Sequence, residues 1–295
     1  MTTVIKLVIV DLDNTIYNWV DFYVPSFNAM IKELVRLTGI DEHVLRESFK
    51  RVHQKHKTAE YTFSIEELDV LSESNAGLTV PEILQKYNPA IKAFRIMRKK
   101  TLRRYDNVIE TLEKLRSKGK KIVAHTDAMM FYAVYRVKEL GVERFFDGIV
   151  APRDHGLPEG VRPGDVRFYS DEKYETIIPF KKELEPEIVK PNPECLNEIL
   201  RYFGVEGNEA VYVGDSLHKD IYMAQRCGVH DVYAEYGRQY DANYYRQLIE
   251  ITYWTDEEVA HELELKALSI SPSFRIQRFG ELMGVIQTIE SCTIP

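Results

Sequence analysis

The sequence predicts an α/β fold, a doubly wound parallel sheet accompanied by a second, smaller domain of α-helices. Short apolar runs rich in β-branched residues, such as 7–10 and 211–213, are typical of strands buried on both faces of a parallel sheet. Segments with a helical spacing of apolar residues lie between these runs. Strands and helices that alternate along a chain indicate an α/β architecture.

The composition is that of a globular protein and argues against several classes of function. Of the 295 residues, 44% are hydrophobic and 29% are charged, which allows one large domain plus a smaller one. The formal net charge of −7 contrasts with the basic surface of nucleic-acid-binding proteins, so we expect no nucleic-acid partner. No apolar run approaches the ~18 residues of a membrane-spanning helix. We expect no membrane association.

The N-terminus and the cysteines indicate in which cellular compartment the protein is expected. The chain passes from Met1 almost directly into its first predicted strand, which leaves no room for a signal peptide. The three cysteines are far apart and show no metal-ligand spacing, so they are expected to be reduced thiols. These features predict a cytoplasmic location.

Two carboxylates and a hydroxyl follow the first predicted strand. Asp11 and Asp13 come directly after the apolar run, and Thr15 stands two residues further on. Alternation along an extended segment directs both carboxylates to one side, at the strand end where α/β proteins gather reactive groups. Paired carboxylates are costly unless a cation lies between them, and oxygen ligands favour Mg²⁺. Taken alone, the segment also fits a solvated turn.

Three further segments place polar residues beside predicted strands or helices. Thr126 stands near the end of a predicted strand at 121–128, and Lys190 precedes Pro191 just before a predicted helix. Asp215 follows an apolar strand, and Asp220 lies at the start of the next helix. Asp127 adds a negative charge beside Thr126, and we interpret it as the cap of a helix at 129–140.

Together these segments resemble the four motifs of the haloacid dehalogenase-like (HAD) superfamily, most of whose members are phosphatases. Asp11-x-Asp-x-Thr is similar to the first motif and Thr126 to the second. Lys190-Pro-x-Pro is similar to the third, and Gly-Asp215-x(4)-Asp to the fourth. Their order and their positions in the predicted fold agree with those of the superfamily.

The resemblance implies a phosphohydrolase that acts on a small phosphate monoester, such as a nucleotide or a sugar phosphate. Asp11 would be the nucleophile that forms an aspartyl-phosphate, and Asp13 the acid and base. Thr126 and Lys190 would complete the catalytic set and bind the phosphoryl oxygens, and Thr15 is assigned to substrate binding. Tyr17, Asn18 and Trp19 follow closely in sequence and are candidates for contact with the leaving group.

The resemblance also implies Mg²⁺ as the cofactor. Its predicted ligands are Asp11, the backbone carbonyl of Asp13, Asp215 and Asp220. A phosphomutase would use the same residues, and it stays open as an alternative. From a different class, a binding or regulatory protein could have kept the fold and lost turnover, and Asp127 gives that alternative some weight.

The domain organisation follows from the motif positions. Residues 1–16 and 100–268 are predicted to form the HAD-like catalytic core, with a flap-like insertion at about 152–186. Residues 17–99 would form an α-helical cap, with helices at 26–38, 41–57 and 64–74 and another that opens at Thr79. The basic stretch at 53–57 is interpreted as a solvated helix face.

The end of the chain is harder to assign. A short strand at 251–253 and a helix from Thr255 are predicted to close the core. Residues 269–295 form an extension of unknown role, too apolar for a disordered tail. It would pack on the core or form a subunit contact, and a homo-oligomer through the cap or the extension stays open.

Overall fold

A parallel sheet of seven strands, in the order β4-β3-β2-β1-β5-β6-β7, runs through the computed structural model. The structure describes residues 4–158, 161–162, 164, 175–253 and 270–291. The strands are β1 (Leu7–Val10), β2 (Lys121–His125), β3 (Gly148–Pro152), β4 (Phe180–Leu184), β5 (Ala210–Gly214), β6 (His230–Ala234) and β7 (Phe274–Ile276). β1 lies at the centre, where Leu7 is in register with Lys121 of β2 and Ala210 of β5. The prediction of a parallel α/β sheet is confirmed.

Helices cover both faces of the sheet. They are α1 (Trp19–Thr38), α2 (Glu42–His56), α3 (Val80–Lys86), α4 (Asn88–Thr101), α5 (Val108–Ser117), α6 (Met130–Glu139), α7 (Pro193–Phe203), α8 (Tyr222–Arg226), α9 (Ala242–Ile251) and α10 (Leu282–Ser291). Val8 and Val10 of β1 belong to the apolar cluster that contains residues of α5 and α10. Leu7 and Ile9 belong to the cluster on the other face, with α7. This two-sided burial explains why β1 reads as a continuous apolar run.

Five helices lie between β1 and β2, and the first four, α1–α4, form a helical segment at residues 19–101. α1 begins at Trp19, earlier than the predicted start at 26, because the side chain of Asn18 accepts a hydrogen bond from the N–H of Asp21 and caps the helix. Asp41 caps α2, and Thr79 occupies the cap position of α3, so both helices begin where they were predicted to begin. The helix predicted at 64–74 is wrong, since that stretch forms turns and two short 3₁₀ pieces.

Helix α9 packs against this helical segment and ties it to the rest of the chain. Asn28 of α1 donates to Gln247 of α9 at 2.7 Å. On α2, Nδ1–H of His53 donates to the carbonyl oxygen of Ile251. His53 is 1% exposed, so the solvated interpretation of this helix face is wrong for His53. The strand predicted at 251–253 is also wrong, because α9 continues to Ile251.

Two regions that were not predicted to belong to the sheet supply strands to it. Phe180–Leu184, within the segment predicted as a flap, pairs with β3. Phe274–Ile276 pairs with β6, and α10 buries Leu282 and Ile286, so the described part of the C-terminal extension packs on the core. The alternating piece at 166–169 and the helix predicted from Thr255 lie outside the described residues. Within the described part of the chain, no helix combines the length and apolar character required to span a membrane.

Candidate active site

Three carboxylates meet at the carboxyl ends of neighbouring strands. Asp11 follows β1, and Asp215 follows β5. Asp220 lies in a short helical turn after β5, Leu217–Ile221. One carboxylate oxygen from each lies within 4.8 Å of the other two. All three side chains are buried. The parallel pairing of β1 with β5 therefore brings together groups that are far apart in the sequence.

Lys190 connects two of these carboxylates. Its Nζ donates to Oδ1 of Asp11 at 2.6 Å and to Oδ1 of Asp220 at 2.7 Å. Burial alone would lower the pKa of Lys190, but the two adjacent carboxylates hold it well above its usual value. Lys190 therefore stays charged and neutralises part of the acidic cluster.

The donor set fits a divalent cation. The three carboxylates and the one ammonium, which contacts Asp11 and Asp220, together carry a formal charge of two negative units. Burial raises the pKa of Asp11, and it raises the pKa of Asp215 to about 7, with Asp220 adding to the effect in both cases. A hard cation such as Mg²⁺ would supply the missing positive charge, and carboxylate oxygens are its preferred ligands.

Two glycines lie where other groups come too close for any side chain. A Cβ on Gly214 would lie 2.3 Å from Oδ2 of Asp220, and a Cβ on Gly237 would lie 2.6 Å from Cβ of Asp215. Asn14 has a φ of 59°, a left-handed conformation that Asn adopts more readily than most residues. The carbonyl oxygen of Asn14 would lie 2.2 Å from the same Cβ on Gly237. The loop after β1 and the loop after β5 are thus both packed closely against Gly237.

Asp13 directs its carboxylate away from this cluster. Its Oδ1 accepts hydrogen bonds from the hydroxyl of Tyr17 and from Nη1 of Arg136, the latter at 3.0 Å. Arg136 lies on α6, and its Nη2 donates to Glu60 in the helical segment. Of Asp13, only the backbone carbonyl was predicted as a ligand, and this stays a prediction. The side chain is 26% exposed.

The two threonines have different surroundings. Thr15 is fully buried and donates to Oδ2 of Asp11 at 3.0 Å. This hydrogen bond orients the carboxylate, whereas the sequence assigned Thr15 to substrate binding. Thr126 follows β2 and accepts a hydrogen bond from the N–H of Ala128 at 3.1 Å. As a hydroxyl that accepts here, Thr126 still has a proton to donate.

Asp127 does not cap the helix that follows it. That prediction is wrong, since Met129 occupies the cap position of α6. The carboxylate of Asp127 accepts from the backbone N–H of Lys190 at 2.9 Å and from Nζ of Lys219 at 2.8 Å. Burial alone would raise the pKa of Asp127, but Lys219 and Lys190 lower it to about 2. The negative charge is therefore paired, and it anchors the backbone at Lys190.

Three side chains around the site were not identified from the sequence: Arg136, Glu60 and Lys219. Arg136 and Glu60 stand outside the four motifs, and Arg136 is remote in the chain from both of its partners, Asp13 and Glu60. Lys219 lies inside the fourth motif, but at a position the motif leaves open. Among the candidates for leaving-group contact, Tyr17 is buried and its hydroxyl donates to Asp13. Trp19 stacks on Tyr23, with the ring centres 4.8 Å apart.

Comparison with known proteins agrees with this architecture. The family described as haloacid dehalogenase-like hydrolase matches residues 5–228. The glyceraldehyde 3-phosphate phosphatase of Methanopyrus kandleri is 25% identical over 285 residues, which cover 97% of this chain and 98% of that protein. The protein of the same name from Methanocaldococcus jannaschii is 24% identical over 231 residues, covering 76% of this chain and 82% of the relative.

Solved structures share the fold at low sequence identity. A HAD phosphatase from Thermococcus onnurineus matches with a TM-score of 0.53 and 20% identity, covering 96% of this chain and 98% of that chain. A 2-haloacid dehalogenase from Pseudomonas syringae matches with a TM-score of 0.53 and 18% identity, covering 96% of this chain and 99% of that one. A phosphatase and a dehalogenase thus share this architecture, and the fold alone does not select the reaction.

Proposed function

Because the chain belongs to the haloacid dehalogenase-like hydrolase family, we propose that it is a magnesium-dependent phosphatase that hydrolyses a small phosphate monoester through an aspartyl-phosphate. Phosphatases are among its relatives along nearly the whole chain. Candidates for every group that this activity needs lie close together: a nucleophile, a proton carrier, a cation and a set of metal ligands.

The observation that carries the proposal is the separation of two neighbouring aspartates into different environments. Asp11 is buried beside Lys190 and the other carboxylates, where it can act as nucleophile. Asp13 is held apart by Tyr17 and Arg136 and is partly exposed, where it can exchange a proton with a leaving group or with water. A phosphatase of this kind needs both functions within one short loop.

In the first step, a carboxylate oxygen of Asp11 attacks the phosphorus atom of the ester. The new O–P bond forms as the bond between phosphorus and the leaving oxygen breaks, and Asp13 gives its proton to that oxygen. The products are the aspartyl-phosphate and a free alcohol. Lys190 and Thr126 donate hydrogen bonds to the phosphoryl oxygens, on which negative charge is concentrated.

In the second step, water hydrolyses the aspartyl-phosphate. Asp13, now a carboxylate, takes a proton from the water as its oxygen attacks phosphorus, and the bond to Asp11 breaks. Inorganic phosphate leaves, Asp11 is again a carboxylate, and Asp13 is again protonated. Thr15 keeps the Asp11 carboxylate oriented through both steps.

Mg²⁺ would be held by the carboxylates of Asp11, Asp215 and Asp220 and by the backbone carbonyl of Asp13. When bound, it offsets the negative charge of the phosphoryl group and of the nucleophile. Asp220 has a second role, because its other oxygen accepts from the backbone N–H of Ser216 at 3.0 Å and so stabilises the loop that carries Asp215.

We propose a small phosphorylated metabolite as substrate. The two long relatives are named glyceraldehyde 3-phosphate phosphatase, so a three-carbon sugar phosphate is the first compound to test. Other sugar phosphates and nucleotides complete the panel, together with p-nitrophenyl phosphate as a chromogenic ester. Release of inorganic phosphate separates hydrolysis from the transfer that a phosphomutase would catalyse.

The deciding experiment compares the wild type with Asp11→Asn on this panel, with Mg²⁺ and with EDTA. We expect phosphate release that needs Mg²⁺ and is lost in Asp11→Asn. Asp41→Asn is the matched control, since it makes the same exchange at a helix cap, where both residues serve equally well. Wild-type protein that releases phosphate from no ester, or Asp11→Asn that keeps its activity, would refute the proposal.

A further inference from the structure

Arg136 is buried between two carboxylates that belong to different parts of the molecule. It lies on α6, and its side chain is 1% exposed. Nη1 donates to Oδ1 of Asp13 at 3.0 Å, and Nη2 donates to Oε1 of Glu60. Glu60 follows α2 in the helical segment, and its side chain is 12% exposed. A charged group is seldom buried to this degree unless it is paired on all sides.

Aromatic rings surround the guanidinium and restrict its position. Its Cζ atom lies 5.0 Å from the ring centre of Phe22, 5.6 Å from that of Tyr132 and 5.8 Å from that of Tyr17. These distances are those of cation–π contacts. Since a guanidinium is planar, fixing two of its nitrogens on two acceptors also fixes its orientation. Arg136 is therefore a rigid bridge between Glu60 and Asp13.

The bridge acts on one oxygen of Asp13. Oδ1 accepts from both Arg136 and Tyr17, whereas Oδ2 accepts no hydrogen bond from any residue that the structure describes. Oδ2 is thus the oxygen that can carry the proton to the leaving group and recover it from water. Arg136 keeps its own protons under all working conditions, so it positions Asp13 and does not exchange protons itself.

We infer that Arg136 is the positioning residue for the acid and base Asp13, and that Glu60 holds it in place from the helical segment. The inference rests on the proposed function and deepens it. Asp13 is aligned for proton transfer only while Glu60 lies on Arg136. The position of the helical segment relative to the sheet thereby controls the second aspartate, while the nucleophile and its lysine keep their own contacts.

The leaving group provides a readout that a general loss of structure would not give. An alkoxide leaves only when it receives a proton, so hydrolysis of an alkyl phosphate depends on an aligned acid. p-Nitrophenolate is a stable anion and leaves without one. A misaligned Asp13 should therefore slow the two esters unequally, whereas partial unfolding would slow both by the same factor.

The test compares Glu60→Ala and Arg136→Lys with the wild type, using the best alkyl phosphate of the panel and p-nitrophenyl phosphate. We expect kcat/KM, which reports the first step alone, to fall at least about tenfold more for the alkyl ester than for the aryl ester, because general acid catalysis is worth about 10²–10⁴ in rate. Glu60→Gln retains an acceptor for Nη2 and should restore most of the loss. Glu47→Ala removes an exposed carboxylate of α2 that pairs only with the exposed His43 among the described residues, and should behave as wild type.

A crystal structure of Glu60→Ala gives a second readout that needs no turnover. We expect the distance between Nη1 of Arg136 and Oδ1 of Asp13 to exceed the hydrogen-bond limit of about 3.5 Å, or Asp13 to occupy two conformers. An unmoved Asp13, or equal losses of kcat/KM on both esters, overturns the inference. If the wild type hydrolyses no ester, the proposed function fails, and the crystal structure alone decides whether Glu60 and Arg136 position Asp13.

Discussion

Lys190 and Asp11 form a buried ion pair, in which Nζ of the lysine lies 2.6 Å from Oδ1 of the aspartate. Removing the ammonium would leave the Asp11 and Asp220 carboxylates without their shared cation. We expect Lys190→Met to lower kcat by about 10²–10³-fold, the usual effect of losing one such donor. Breaking a buried pair from one side should also cost about 3 kcal/mol of the free energy of unfolding. Steady-state kinetics and urea unfolding measure the two effects.

Lys181→Met is the matched control for this change. Lys181 pairs with Glu183 on the surface, where both side chains are more than 40% exposed, so neither kcat nor stability should change appreciably. A Lys190→Met protein with wild-type kcat would show that the ammonium does not contribute to the reaction.

The second prediction concerns metal affinity and uses the different positions of the aspartates. Asp215→Asn and Asp220→Asn each remove a carboxylate from the cluster, and we expect Mg²⁺ to bind more than about tenfold more weakly. Asp13→Asn should leave the affinity unchanged, because its carboxylate contacts Tyr17 and Arg136. Isothermal titration with Mg²⁺ measures all three variants. Equal losses in the three would mean that the Asp13 carboxylate binds the metal.

The third prediction concerns the close approach at Gly214. A Cβ at this position would overlap Asp220, so we expect Gly214→Ala to lower the free energy of unfolding by about 1–3 kcal/mol. The displaced Asp220 should also weaken the binding of Mg²⁺. Gly156→Ala is the control, because a Cβ there meets no atom within 4 Å. If both variants unfolded at the same urea concentration as the wild type, the loop would be looser than the structure indicates.

The fourth prediction is a dependence of stability on pH through His53. Burial lowers the pKa of His53 from 6.5 to about 4, so the folded protein keeps this imidazole neutral. At pH 7 the residue is neutral in both states and has no effect. As the pH falls below 6.5, the unfolded chain binds the proton first, and unfolding becomes easier. At pH 5 the loss should reach about 2 kcal/mol.

His53→Asn tests this prediction, because the amide can still donate to the carbonyl of Ile251 but does not titrate. Between pH 7 and pH 5, urea unfolding should show a smaller loss of stability in the variant than in the wild type, by about the same 2 kcal/mol. His43→Asn, at an exposed position, should follow the wild type. Parallel pH curves for all three proteins would exclude His53 as the cause.

The centre of the site could be predicted because its residues follow strands that are visible in the sequence. Asp11, Thr126 and Asp215 each come directly after a strand that contains an apolar run, and parallel neighbours bring the ends of such strands together. Local rules also predicted that helices begin at Asp41 and Thr79, since a helix start depends on residues within one turn.

The surroundings of the site could not be predicted in this way, because they depend on contacts between distant residues. Asp127 has the composition of a helix cap, but an ion pair with Lys219, 92 residues later, competes with that role and prevails. Arg136 lies 123 residues from Asp13, on a helix whose pattern gives no sign of a buried charge. β7 has only three residues, too few to show a period.

The central position of β1 has a consequence for how the protein is made. This strand is translated before the other six described strands, but its neighbours begin at Lys121 and Ala210, and Ile5 beside it hydrogen-bonds to Glu290, 285 residues later. The edge that pairs with β5 therefore stays unpaired until residues 210–214 have been translated, and unpaired edges promote aggregation. We expect the nascent chain to be most prone to aggregation before β5 has been translated.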